Sequence, residues 1–434
     1  MELSRVHKRG VCLIAAAGLA VLQSAAQDAP PNAGQPQPPS GFQITSISIF
    51  GGAYFLPKSG AQSVTSSLPD AIPNEGSAVS ALWALRSPRA EAVFSYDGSY
   101  TRNQDISALN GFDHRIAINL RRSLSPRTTL AFDLVGESTL LANAMFTPSQ
   151  TANSGQATSG TNTGSTGSGL YPALDEPSVM LQALATRRKM AGLTVRESHD
   201  FSTRLQSTVR VGIAREELTQ DGSALDLLVY PVVTVGTAGV SLSYGLTQKS
   251  RLIWSADYWR SYSRLYDFDV ESSTLGWERL IGQRSFWRVE GGYARTGPTN
   301  SGADARNGYV ASTAIGTSRG ALGLLITVRR EVADFQGLRS GNTLAGDAAL
   351  SWNRPGSPWT FTCGGGYERL QSSLGLLNTW LGRALLARKI SDHLQIQAEV
   401  AYVKAVVPEL NDLARRGVRV AFVWTPAQGA ARAR

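Results

Sequence analysis

The stretch Val240-Ser241-Leu242-Ser243-Tyr244-Gly245-Leu246 decides how this chain folds. It closes a charge-free window, Leu227 to Gln248, which is long enough to cross a bilayer as a helix. That window, however, holds Pro231, Gly236, Gly239 and Gly245, with hydroxyl-bearing residues at 234, 237, 241, 243 and 247. In its second half Val240, Leu242, Tyr244 and Leu246 share one face and small groups share the other, a period of two. The window reads as a β-strand with one apolar face.

The same alternation recurs on both sides. In Glu91 to Thr101, Ala92, Phe94, Tyr96, Gly98 and Tyr100 stand opposite Glu91, Ser95, Asp97 and Ser99. Ile116, Ile118 and Leu120 oppose Arg115, Asn119 and Arg121; Leu130, Phe132 and Leu134 oppose Asp133 and Glu137; Val209, Val211 and Ile213 oppose Arg210 and Glu216. Trp287, Val289 and Tyr293 oppose Arg288 and Glu290, Val400 and Tyr402 oppose Glu399, and Val418, Val420, Phe422 and Trp424 oppose Arg419. One face is greasy and the other carries charge.

Between the strands, turn-like clusters begin at Ser87, Ser123, Asp200, Thr247, Gly282, Ser318, Asn353 and Lys389, most of them about 36 residues apart. That spacing is room for two long strands, one tight turn and one longer loop, so the repeating unit is a β-hairpin. The predicted strands are 44–56, 77–86, 90–102, 111–122, 127–138, 184–199, 204–216, 231–246, 251–263, 268–281, 285–296, 308–317, 320–331, 342–352, 358–369, 374–388, 392–404 and 414–424. They number eighteen, and one misread pair would leave sixteen. The eight turns fall after every even-numbered strand from the second to the sixteenth and the other connections are mostly longer, which puts both termini on the periplasmic side of an even barrel.

A soluble β-sandwich would also alternate, but its strands are typically five or six residues. Strands of ten to fifteen residues suit a tilted crossing of the outer membrane. Tyr100, Trp259, Trp287, Trp352, Trp359, Tyr402 and Trp424 lie near strand ends, where an amphipathic ring can sit among headgroups. A closed sheet satisfies its backbone in lipid and an open one does not. The expected fold class is all-β: a single-domain transmembrane antiparallel β-barrel spanning 44–424.

The flanks fit that location. Arg5, Lys8 and Arg9 precede the apolar run Val11 to Leu22 and the small residues Ser24-Ala25-Ala26, which together predict a signal peptide over 1–26. Residues 27–43, with five prolines between Asp28 and Ser40, predict a flexible periplasmic segment. Removing residues 1–26 takes away three basic residues and one acidic, so a formal charge of +9 falls by two to +7. That balance does not imply nucleic acid. Only Cys363 then remains, and no intramolecular disulfide is possible. Between strands five and six, 139–183 contains Thr151 to Gly169, a run of Thr, Ser, Gly, Asn, Ala and Gln that predicts a long mobile extracellular loop. Pro57 to Gly76, with three prolines, predicts a better-ordered loop. The tail is 425–434.

Three segments carry a resemblance: Phe94 to Thr101, Asn110 to Ile118, and Leu124 to Leu130. In strand-and-turn style over roughly 75–425 the chain resembles outer-membrane β-barrel proteins of the acidobacterial type, some of them found beside polysaccharide biosynthesis and export genes. The resemblance implies no catalytic residue. It implies passage of polysaccharide, and a partner in the barrel-assembly machinery, which reads a terminal aromatic; Phe422 and Trp424 supply one, followed by the tail.

Eighteen strands enclose a lumen wide enough for water, and the short segment before the first strand leaves no room for a plug domain. The expected lumen-lining residues are Glu91, Asp97, Asp113, Arg115, Arg121, Asp133, Glu137, Arg210, Glu216, Arg288, Glu290, Arg329, Glu399 and Arg419. Their mixed sign suits polar solutes better than a sharply ion-selective pore. The expected function is a porin-like outer-membrane channel, in contact with membrane lipids and polar solutes. The alternative is a closed structural or surface-interaction barrel that binds through its loops. An enzyme is not expected: of the three histidines after residue 26, His199 and His393 lie at short turns, and His114 points away from its neighbour Asp113. Neither a cofactor nor a metal site is predicted, since there is no H-E-x-x-H, Cys pair or phosphate loop.

Overall fold

The computed structural model describes residues 41–55, 71–104, 109–140, 186–220, 232–264, 267–282, 284–298, 306–335, 339–372, 375–406 and 413–426. The predicted signal peptide, most of the 27–43 segment, most of the 139–183 loop and most of the tail lie outside them. Eighteen strands form one sheet: β1 (Gly41–Phe55), β2 (Ala71–Arg86), β3 (Ala90–Asn103), β4 (Gly111–Ser125), β5 (Thr128–Leu140), β6 (Thr186–Asp200), β7 (Leu205–Gln220), β8 (Val233–Thr247), β9 (Ser250–Tyr262), β10 (Asp267–Ile281), β11 (Ser285–Pro298), β12 (Arg306–Arg319), β13 (Leu322–Phe335), β14 (Arg339–Asn353), β15 (Trp359–Ser372), β16 (Gly375–Lys389), β17 (Leu394–Val406) and β18 (Leu413–Trp424). Each strand pairs antiparallel with its chain neighbours, and β1 pairs with β18 from Ile47↔Trp424 to Phe55↔Arg416. The sheet is therefore a closed antiparallel barrel of eighteen strands, a single domain.

Strand boundaries fall within a few residues of the predicted ones, with the largest departure at β2. There, part of the expected loop Pro57 to Gly76 is strand from Ala71 onward. Proline lacks a donor, yet Pro73 pairs opposite Ala53 and its carbonyl accepts from Asn103 Nδ2 at 2.5 Å. Its neighbours Ile72 and Asn74 are buried, so the strand is held from one side.

Side-chain exposure sorts by parity. Ile49, Leu120, Leu134, Ile213, Leu275, Ile315, Ile326, Val400 and Phe422 are all exposed, and they alternate with buried or half-buried inward groups. An apolar mantle that runs round the whole barrel far exceeds the patches soluble monomers expose. Lipid is the solvent that tolerates it, because no strand edge is left unpaired. Among the described residues no helix is long and apolar enough to cross a membrane; the crossing elements are strands.

The eight connections that follow even-numbered strands are all short and stand at one rim; the other rim carries every long connection, together with short ones at β9–β10, β13–β14 and β15–β16. Toward the long-connection rim the inward side chains are buried, with Val233, Val235, Trp259, Phe268, Val270 and Ala294 forming an apolar cluster. Trp259, expected among headgroups, belongs to this cluster: it occupies the inward parity of β9 and meets Phe268 edge-on at 5.1 Å. Toward the short-turn rim the inward groups, such as Arg121, Ser241 and Ser243, stay accessible.

Candidate functional site

The inner wall is built from rows of residues that antiparallel register places side by side. Across β7, β8 and β9 the row is Arg210, Gly239, Asp257. Because Gly239 has no side chain, the guanidinium of Arg210 passes over it and Nη2 donates to Asp257 Oδ1 at 2.5 Å. A Cβ on Gly239 would collide with that same carboxylate oxygen.

A second cluster joins β16, β17 and β18: Arg419 stands opposite Glu399 in register, while Arg383 reaches it from a position two residues along β16, opposite Ala401. Glu399 is buried and receives Arg383 on one oxygen and Arg419 Nη2 on the other, the latter at 2.7 Å. The Arg419 guanidinium also lies 5.2 Å from the ring of Phe50 on β1, so the contact crosses the seam where the barrel closes. Further pairs continue round the wall: Arg188 with Glu216 at 3.0 Å, Arg251 with Glu278 at 2.7 Å, Arg329 with Glu331 at 3.1 Å, and Arg288 with Glu290, to which Ser312 also donates. Asp113 accepts from the Leu140 backbone N–H at 2.8 Å and faces Arg187 Nη1 at 3.3 Å. Arg288 is only 1% exposed and Glu216 2%, so these groups brace the wall. Glu368 sits within electrostatic reach of Arg329, Glu331 and Asp347.

The β3–β6 sector is different. Asp97, Arg115 and Glu137 share one row, yet among the described residues none of the three has an ion-pair partner within 4 Å. Nearer the short-turn rim a recess of about 360 Å³ is lined by Glu91, Asn119, Arg121, Asp133, Arg196 and Ser198, among others. Glu91 is held by Arg86 at 2.6 Å, whereas Arg121, directly opposite Glu91 in register, makes no ion pair among the described residues. Arg196 and Asp133 interact through space. This sector therefore gathers two guanidiniums, two carboxylates and an amide within one concavity. Such a set can hydrogen-bond a polar solute at several points without fixing one sign of charge.

Reading the sequence alone missed Arg188, Arg196, Arg251, Asp257, Glu278, Glu331, Asp347, Glu368 and Arg383. Asp257 shows why. In β9 aromatic residues fall on both parities, Trp254 and Tyr258 outward and Trp259 inward, so no greasy face marks the other as polar. The parity of Ser255, Asp257 and Ser261 was the available signal.

No family model matches the sequence, and no curated protein matches it. Among solved structures, the chain is similar to Pseudomonas aeruginosa OccK2 (OpdF) in complex with glucuronate, at 10% identity and a TM-score of 0.46 over 88% of this chain and 98% of that one. It is similar to the outer membrane protein OpdK from Pseudomonas aeruginosa at 9% identity and a TM-score of 0.46, over 88% and 99%. A BenF-like porin from Pseudomonas fluorescens matches at 9% identity and a TM-score of 0.46, over 89% and 99%. At that identity and superposition the matches bear on neither ligand nor mechanism.

Proposed function

We propose that the protein is an outer-membrane channel, porin-like, that passes small polar solutes through its lumen, with the short-turn rim and both termini on the periplasmic side. The observation that carries this reading is the sealed β1–β18 ladder with an apolar mantle outside and charged rows within. A barrel so lined holds water along its axis. The unpaired charges of β3–β6 are the groups that meet solute, and their mixed sign favours neutral or zwitterionic polar molecules. The braced rows on β7–β18 keep the wall rigid around them.

Recording in planar bilayers tests the reading. Stepwise conductance that is reduced by a permeating polar solute is the expected result; a pure, folded protein that inserts and conducts nothing would contradict it. The polysaccharide chain implied by the resemblance is an arm of the same experiment. Block by long saccharide chains at much lower concentration than by their monomers would support it, and equal block per sugar unit would favour the small solute. The alternative, a barrel that acts through its loops, predicts insertion without conductance.

A further inference from the structure

Each of the eight short turns carries a cation at its tip or on its flank. Arg89, Arg127, Arg204, Lys249 and Arg284 occupy one equivalent ladder position: their carbonyls accept from the N–H groups of Ser123, Asp200, Gly245, Leu280 and Ser318 at 2.7–2.8 Å. The backbone thus fixes these five at the same level of the wall. Arg319, Arg354 and Lys389 stand in or beside the remaining three turns. All eight are exposed. Consecutive cations are two strands apart, about 12 Å along the perimeter of a tilted wall. That is close to the Debye length of about 8–10 Å, so the charges act as a ring rather than as isolated points.

Little on the protein neutralises the ring. Among the described residues, Arg127, Arg204, Lys249, Arg284, Arg319 and Arg354 make no ion pair within 4 Å. In the turns and the residues that flank them, the acidic groups are Asp200, which accepts from Gln206, and Asp392, paired with Lys389 at 2.9 Å. The outward face at the opposite rim is unlike this, since its cations are interspersed with Glu75, Glu217, Asp267, Asp269 and Glu271.

Just inside the ring lies a collar of indoles. Trp83, Trp277, Trp287, Trp352, Trp359 and Trp424 all occupy outward parity within four residues of a strand end at this rim, six of the nine tryptophans in the chain. The Trp277 and Trp287 rings meet at 5.5 Å, and the Arg388 guanidinium lies 5.2 Å from Trp359. Indoles settle at the level of the lipid glycerol and headgroup, which sets the cations one step further out, at the level of the phosphates. We propose that the short-turn rim is an annular binding surface for anionic phospholipid headgroups, the guanidiniums taking the phosphates and the indoles packing beneath them. A ring open all the way round, except at the termini, fits a shell of lipids better than one partner docking from one side. This inference rests on the reading that the barrel spans a membrane.

The test reconstitutes the protein into phosphatidylcholine vesicles containing a minor share of phosphatidylglycerol, with either lipid brominated, and compares quenching of tryptophan fluorescence. The expected result is a relative binding constant for phosphatidylglycerol about fivefold above that of phosphatidylcholine, the worth of roughly one basic residue beside an anionic surface, falling as salt is raised. Replacing all eight cations by Gln should bring the ratio to about one. Should that protein fail to insert, the smaller set Arg127→Gln, Lys249→Gln, Arg284→Gln and Arg319→Gln should give an intermediate ratio. An inserted wild-type barrel with no preference, or a preference unchanged in an inserted variant, would overturn the proposal alone. Failure of the wild type to insert, read independently as loss of protease protection, would overturn the membrane reading and this proposal with it.

Discussion

Arg210 and Asp257 sit on strands that do not touch, yet their side chains meet at 2.5 Å because the residue between them, Gly239, has nothing to put in the way. The absence of one side chain thus couples three strands. Gly239→Val is expected to open the pair and to lower unfolding stability in lipid by about 1–2 kcal/mol, less than for a dry pair because both partners are about a quarter exposed. Urea titration of the reconstituted barrel checks it, and an unchanged midpoint would show that the bridge is idle.

Glu399 receives two of the wall's ion pairs, and it does so across β16, β17 and β18. Glu399→Gln leaves Arg383 and Arg419 facing each other without their counter-charge. The expected cost is about 2–4 kcal/mol, because removing one member of a buried pair strands the other. The same variant should become more anion-selective, read as a shift in reversal potential under a salt gradient.

Arg121 and Arg196 test the solute-facing sector. Replacing both by Gln removes two cations from the recess that also holds Glu91 and Asp133. Permeability should move toward cations, by a few-fold in the ratio if the effective dielectric is that of a wet wall, near 20. Arg388→Gln, on the outer surface beside Trp359, should leave selectivity unchanged.

Phe268 fills the inward apolar cluster with Trp259, Val235 and Val270. Phe268→Ala should raise single-channel conductance if that cluster narrows the lumen. It should also destabilise the barrel by about 3–5 kcal/mol, as large-to-small changes at packed aromatic sites do. Destabilisation without a change in conductance would place the narrowest point elsewhere.

Much of the barrel was legible because one physical rule, oily outside and wet inside, acts on every second residue. Val209, Val211 and Ile213 against Arg210, or Val418, Val420 and Phe422 against Arg419, declare their faces in a handful of letters. The rule weakens where the wall stops obeying it. Toward the long-connection rim the interior itself turns apolar, so Trp259 read as an outward ring among headgroups, and the strand start at Ala71 hid behind Pro73. The ion-pair rows were illegible for a different reason. A period of two assigns a residue to a face, but only register decides that Arg210 meets Asp257 and that Arg115 stands beside Asp97 without an ion pair. Register is set by turn length and by bulges such as those between Ile44 and Ser46 and between Gly245 and Thr247.

The most direct measurement is thiol accessibility along β8, residue by residue, in sealed vesicles. With Cys363 replaced by Ser, single cysteines at 241, 242, 243 and 244 are challenged with a charged, water-soluble maleimide. Ser241→Cys and Ser243→Cys should label readily from the wet interior, and Leu242→Cys and Tyr244→Cys should not, because lipid covers them. Labelling that fails to alternate, or that strikes 242 and 244 first, would contradict the barrel's orientation toward lipid and the account built on it.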